Sequence, residues 1–331
     1  MTTFGSDVLI IGAGMSGLTA ARLLTDAGKR VVVVDKGRSV GGRLATRRIG
    51  EGQADHGAQF FTVRDPAFKA HVDRWIQEGV VFEWSRGWSD GSLVDTRDGH
   101  PRYAVRGGMN QLARALADGL DVRVGIEISA IHRITDGWQA EDINGRHFTA
   151  KALILACPVP QSLALLDAGK VPLEPEDREA LDAIRYEPCI TGIFLVDHEA
   201  SLPNPGAIQR PGAQVIWIGD NKRKGLSSLP LLTVQANPNY SRALWDRRDD
   251  EIINSMRIDL MPFIGENARI LEGEIKRWRY ALPVQLHPEP TLIALNLPLL
   301  AFAGDAFGQP RVEGAFLSGR AAGEAIRDLL G

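Results

Sequence analysis

The chain opens on the stretch that decides its fold: Asp7-Val8-Leu9-Ile10-Ile11-Gly12-Ala13-Gly14-Met15-Ser16-Gly17. An apolar run of strand length leads into glycines spaced Gly-x-Gly-x-x-Gly, and a helical stretch from Leu18 to Ala27 closes at Gly28. A second β-branched run, Val31 to Val34, ends in Asp35, completing one βαβ unit. Each glycine has a task. The first permits a tight turn, the second lets the backbone approach a pyrophosphate, and the third lets helix and strand pack closely. The helix start offers free N–H groups to phosphates, and Asp35 stands where an acid accepts the hydroxyls of an adenosine ribose. Gly12, Gly14, Met15, Ser16, Gly17, Asp35 and Lys36 are therefore expected to line a dinucleotide cradle.

Working outward, apolar residues Phe68, Val72, Trp75 and Ile76 recur at helical spacing behind Pro66, a first-turn proline. A helix is expected from Gly107 to Ala117, then strands at Val122–Val124, Glu127–Ile131 and Ala152–Ala156. Beyond Pro158 the strands alternate more clearly, at Ile190–Val196, Gln214–Ile218, Leu231–Gln235 and Glu274–Tyr280, with one long helix over Ser241–Met261. That pattern predicts an antiparallel sheet with helices on one side. The end of the chain returns to the first texture, with a strand at Leu299–Ala303, then Gly304-Asp305, then a helix from about Glu313 to Leu330. The expected fold class is α/β. A Rossmann-like dinucleotide domain is built from residues 1–61, 104–158 and 291–331, with a mixed or antiparallel-sheet substrate domain, 62–103 and 159–290, inserted into it.

The 331 residues carry 38 Lys+Arg against 41 Asp+Glu, a net charge of -3, which lacks the basic excess of a nucleic-acid surface. A hydrophobic fraction of 44% with 24% charged residues excludes a disordered or fibrous chain. Cys157 and Cys189 form no Cys-x-x-Cys pair and no disulfide framework, and no metal-ligand spacing is present. No apolar run reaches the roughly 20 residues of a membrane span. The reading is a cytoplasmic protein, with neither nucleic acid nor membrane as partner, monomeric or weakly dimeric; 30 arginines to 8 lysines hint at a bacterial source.

Three features favour FAD over NAD. Gly41-Gly42-Arg43 follows Asp35 within eight residues, a glycine pair that lets backbone pass a bound cofactor while Arg43 offers a phosphate partner. Ala54-Asp55-His56-Gly57-Ala58-Gln59-Phe60 is a small-residue turn of the kind that skirts a flat ring, so Gly57, Ala58, Gln59 and Phe60 are expected beside the flavin. Gly304-Asp305 ends a strand far along the chain, ahead of Val312-Glu313-Gly314-Ala315. Asp305 is expected to accept ribityl hydroxyls, and the final helix to point its positive end at the flavin pyrimidine edge. Ile128 completes the expected cofactor set. The stripe Ala315, Ser318, Gly319 and Ala322 reads as close packing on the sheet.

Together these residues resemble the flavin amine oxidase superfamily, whose fold pairs an FAD domain of the p-hydroxybenzoate-hydroxylase type with a sheet-based substrate domain. Within it the chain is similar to the renalases, on the segments 54–60, Cys157-Pro158-Val159-Pro160, Asp220-Asn221-Lys222-Arg223-Lys224, Lys276-Arg277-Trp278-Arg279-Tyr280 and Gly304-Asp305-Ala306-Phe307. The resemblance implies oxidation of 2- and 6-dihydro isomers of NAD(P)H by hydride transfer to FAD, with O2 as reoxidant and NAD(P)+ and hydrogen peroxide as products. His56 departs from it, standing where the family has an apolar residue. Gly308 to Gly314 holds no cysteine, so the flavin is expected to be non-covalent.

A dihydronicotinamide would sit on a flat aromatic pocket, for which Trp278 and Tyr280, two apart on one strand, together with Trp217 and Phe61 are candidates, with Gln59 in the turn. Asn221 and the basic run Lys222 to Lys224 are candidates for the amide and phosphates of a dinucleotide. Hydride leaves from carbon, so no catalytic acid or base is nominated. Three rivals are weighed: an amine or polyamine oxidase, a non-enzymatic protein-binding relative like the Rab GDP-dissociation inhibitors, and a desaturase-like enzyme on a lipidic substrate, for which the sequence offers no membrane-docking helix.

Overall fold

A computed structural model describes residues 5–92, 98–265 and 267–331. The chain divides into two compact units, one of residues 1–42, 113–185 and 283–331 and one of 43–112 and 186–282.

In the first unit the strand Ser6–Ile11 lies between Val31–Asp35 and His147–Leu155, parallel to both. Val122–Val124 extends the parallel sheet on one side and Leu300–Phe302 on the other. Such a sheet is covered on both faces, which is why Val8, Leu9 and Ile10 are all buried and the run does not alternate. Ile128–Ile134 and Gly137–Asp142 form an antiparallel ribbon on His147–Leu155, of which only the first strand is legible in the sequence. The helices Met15–Asp26 and Arg311–Leu330 pack directly on each other. Gly319 and Gly323 make this possible, because a side chain at either would press on the backbone of Ser16 or Ala20. Within the small-residue stripe, Gly319 serves this helix–helix contact, while Ser318 faces the strand exit and accepts the Gly304 N–H.

The second unit is built on a five-stranded sheet whose central strands, Val215–Asp220, Leu231–Ala236 and Arg185–Val196, pair antiparallel. Alternation assigns its two faces. Phe194 and Val196 join Leu232, Val234, Ile252, Met256 and Leu260 under the helices, whereas Ile193 and Leu231 face Ile49 and Ala54 of the hairpin Thr46–Ile49/Gly52–Asp55. The expected helix over 241–261 is two helices, Pro238–Leu244 and Asp249–Ile264. Asp249, Asp250 and Glu251 favour a new N-terminus. Arg277 holds the break open by donating to the carbonyls of Trp245 and Arg247 and to Asp249 Oδ1, at 2.7–2.9 Å. The expected helix from Gly107 begins only at Asn110, since Gly107 and Gly108 have φ of 72° and 106°.

The unit boundaries differ from the expected ones for reasons of packing. Residues 43–61, assigned from sequence to the dinucleotide domain, carry the hairpin that shares a core with Leu231. Residues 159–185, assigned to the inserted domain, belong with the first unit, where Gly169 closes the helix Val159–Ala168 against the Ile131 carbonyl.

Candidate active site

In the first unit the glycines separate by role. Gly12 has φ 113°, and a Cβ there would come within 3.0 Å of the Ala156 carbonyl; one at Gly17 would collide with the Gly12 carbonyl. A Cβ at Gly14 would have nothing within 4 Å. Gly14 is the N-cap of a helix with no side-chain cap and no acidic residue in its first turn, where the buried Ser16 Oγ has no partner among the described residues. An uncapped helix start beside an orphaned hydroxyl fits a pyrophosphate. Asp35 is held by the Ala13 N–H at 2.7 Å and the Gly37 N–H at 2.6 Å, one to each carboxylate oxygen, which leaves lone pairs for ribose hydroxyls. Gly41 donates to the Ala13 carbonyl at 2.8 Å, and Gly42 lies against Gly14, so the second glycine pair meets the first loop. Lys36 is exposed and Ile128 buried.

At the far end of this unit Gly304, at φ 150°, donates to Ser318 Oγ at 2.8 Å, and Asp305 is buried at the strand exit. The final helix begins at Arg311 with Val312, Glu313 and Gly314 buried in its first turn and Ala315 half-buried. Gly314 is required, since a side chain would strike the Gln309 carbonyl. Glu313 brings a carboxylate of the chain's own to the positive helix end, so the field expected to act on a flavin is partly compensated before any ligand arrives. Cys157 and Cys189 are free thiols with pKa values raised by burial, Cys189 to about 11, and stay protonated.

In the second unit the turn at 55–60 is tied from several directions. The Asp55 carbonyl accepts from Gln59 Nε2 and Thr233 Oγ1, both at 2.8 Å, and the His56 carbonyl from Trp278 Nε1 at 2.9 Å. The Gly57 carbonyl accepts from Gln235 Nε2 at 2.8 Å and the Gln59 carbonyl from Lys224 Nζ at 2.6 Å. Gly57 has no room for a side chain against the Arg43 carbonyl. Ala58 is half-buried. The His56 ring stacks on Trp278 with centroids 5.4 Å apart, and Lys276 Nζ lies 5.1 Å over the same indole. Burial first, then the charges of Lys276 and Arg47, against the opposing pull of Asp55, lower the His56 pKa to about 4, so the imidazole is neutral at physiological pH. Tyr280 meets Tyr186 edge to face at 5.5 Å.

Several residues expected to contact substrate are engaged within the fold. Phe61 is core, buried between Tyr103 and Phe68. Trp217 is buried among Trp84, Trp88 and Phe60, its indole lying over Gly219. Asn221 is buried, receiving the Asp55 N–H at 3.2 Å and donating to Thr233 Oγ1 and the Leu231 carbonyl, so its amide is engaged within the fold. Lys222 pairs with Glu199 on the surface, and Arg223 donates to the Leu202 carbonyl and Asn204. Lys224 is buried against Asp55. The run is therefore not a free phosphate clamp. Arg43 donates to the carbonyls of Tyr280 and Ala281 at 3.2 and 3.4 Å. Sequence reasoning missed the tryptophan cluster and the Lys224–Asp55 pair; the signal for the pair was an isolated acid inside an apolar turn.

Residues 85–327 match the family described as flavin containing amine oxidoreductase, and residues 10–75 an NAD(P)-binding Rossmann-like domain. The first match spans well over half of the chain, which belongs to the flavin containing amine oxidoreductase family, with FAD as its cofactor. Over 41 residues it is 56% identical to an L-amino-acid oxidase from Siganus canaliculatus, covering 12% of this chain and 8% of that one. Over 73 residues it is 37% identical to the (S)-6-hydroxynicotine oxidase of Paenarthrobacter nicotinovorans, covering 21% and 17%. The chain thus spans less than a fifth of either relative's length. The fold resembles that of a putative protoporphyrinogen oxidase from Exiguobacterium sp. 255-15, with a TM-score of 0.75 over 99% of this chain and 100% of that one at 12% identity, a likeness of fold. Among the described residues no helix is long and apolar enough to cross a membrane.

Proposed function

We propose that this chain is an FAD-dependent oxidase of a planar dihydro-heterocycle, specifically the 2- and/or 6-dihydro isomers of NAD(P)H, yielding NAD(P)+ and hydrogen peroxide, as in the renalases. Bound FAD would supply the hydride acceptor and the route for its electrons to O2. The chain's own part is to hold and orient. The observation that carries the reading is the charge around the Trp278–His56 stack. Lys276 and Arg47 lie nearby, His56 is neutral, and the carboxylates Asp55 and Glu274 are engaged by Lys224 and Arg47. That surrounding suits a neutral ring bearing phosphates and opposes an ammonium substrate. Trp278 is fixed through its Nε1 bond to the turn, which would make its indole a rigid face for orienting a planar donor. No side chain has to move a proton.

The family match favours a second reading, oxidation of an amine or polyamine. One experiment separates the two. The yellow protein is mixed anaerobically with 2-, 6- and 4-dihydro NAD and with a polyamine panel across pH 5–9, and loss of the oxidised-flavin band is followed. Bleaching by the 2- or 6-dihydro isomer alone, at a rate flat in pH, is expected. Bleaching by an amine, faster as the amine deprotonates, would move the chain to the second reading. A protein that purifies colourless and takes up no FAD would speak for a binding protein.

A further inference from the structure

Lys224 is a lysine in an unusual place. Its ammonium is 1% exposed and its partner carboxylate, Asp55, 0%. Nζ donates to Asp55 Oδ2 and to the Gln59 carbonyl, both at 2.6 Å, and lies 4.7 Å over the Trp84 ring. Asp55 Oδ1 accepts in turn from Thr46 Oγ1 and from the Met109 N–H at 2.5 and 2.8 Å. Burial opposes the lysine's charge and Asp55 supports it, with the balance toward a lowered pKa. Two ions taken out of water gain little over a well-packed apolar pair, so stability alone is a weak reason for such an arrangement. What an apolar pair could not do is grip two residues of one turn four positions apart, one by its side chain and one by its backbone. The carboxylate belongs to the first residue of the turn and the carbonyl to the fifth, and one ammonium holds both.

We propose that Lys224 is a positioning residue that bridges the two ends of the Asp55–Gln59 turn and thereby fixes the path of Gly57 and Ala58, the backbone read as skirting the flavin ring. The inference rests on that reading of the turn. Among the side-chain ties to the carbonyls of the turn, those from Gln59, Thr233, Gln235 and Trp278 are neutral hydrogen bonds. Lys224 supplies the charge-assisted one.

The test uses the full-length holoprotein. Lys224→Met alone strands a buried carboxylate, so the informative variant is Lys224→Met with Asp55→Asn, which neutralises both partners while keeping an acceptor for Thr46 and Met109. Its companion, Lys224→Gln with Asp55→Asn, retains a donor for the Gln59 carbonyl. The readouts are the FAD dissociation constant and the fine structure of the oxidised-flavin band, neither of which depends on any substrate. Expected are a rise of tenfold or more in the FAD dissociation constant and a blurred band in the Met variant, with partial recovery in the Gln variant, at melting temperatures of the apo forms near the parent's. Parental FAD affinity and spectrum in the folded Met variant, or no difference between the Met and Gln variants, would overturn the proposal, leaving Lys224 as a core ion pair. Failure of the dihydronicotinamide reading would instead show in the donor panel, with these spectral readouts unaffected.

Discussion

Gly14→Val separates the cofactor's space from the protein's. Gly14 sits at φ -83° and ψ -176°, a conformation open to any residue, and a Cβ there meets no heavy atom within 4 Å. The apo-protein should accept the substitution without strain and gain about 0.4–1 kcal/mol from a stiffer unfolded chain. The loss falls on FAD. Each backbone N–H donated to a phosphate is worth about 1.5–3 kcal/mol, and a branched side chain over the helix start denies at least two, so the dissociation constant should rise roughly 100-fold to 10,000-fold. Gly17→Ala is the internal contrast. Its Cβ strikes the Gly12 carbonyl, so the apo-protein itself should lose about 1–3 kcal/mol. Quenching of flavin fluorescence as FAD is titrated into apo-protein reads the first effect, and thermal unfolding by circular dichroism the second. A Gly14→Val protein that binds FAD as tightly as the parent would refute the assignment of this loop.

Asp305→Ala should weaken FAD binding with the fold retained, measured by the same titration. Trp278→Ala should slow flavin reduction by the preferred donor while leaving the bound flavin spectrum largely intact; unchanged reduction kinetics would place Trp278 outside the substrate's reach. The His56 pKa of about 4 in the fold, against the 6.5 of an ordinary solvated histidine, means the unfolded chain binds more protons between those values, so stability falls as pH drops through this window and is full above it. The difference amounts to about 3 kcal/mol, and His56→Gln should flatten the slope of chemical-denaturation stability between about pH 6.5 and 4.

What could be read from the sequence was what is local. Gly12, Gly14 and Gly17 declare themselves because each answers a constraint set within a few residues, and the strand before them and helix after them supply the context. The alternation that marks the five-stranded sheet is equally local. The unit boundaries were not, because the hairpin at Thr46–Asp55 is assigned by its shared core with Leu231, almost two hundred residues on. The break at 245–248 was hidden for the same reason: Arg277, which satisfies its carbonyls, lies about thirty residues away.

Lys222, Arg223 and Lys224 make the point most sharply, since in sequence they are three equivalent cations. The turn that carries them assigns each a different fate. Asp220 Oδ1 takes the N–H groups of Lys222 and Arg223, and the Asp220 carbonyl takes that of Lys224, so the backbone coils through almost a full turn in three residues. Two side chains emerge to pair with Glu199 and with the Leu202 carbonyl, and the third is driven inward to Asp55. A charge run is read from sequence as a surface because burying one of its members is costly without a partner, and the partner here lies 169 residues away. The isolated Asp55, followed by a histidine and a glycine in an otherwise apolar turn, was the other half of that information. Neither half is interpretable until the fold brings them together.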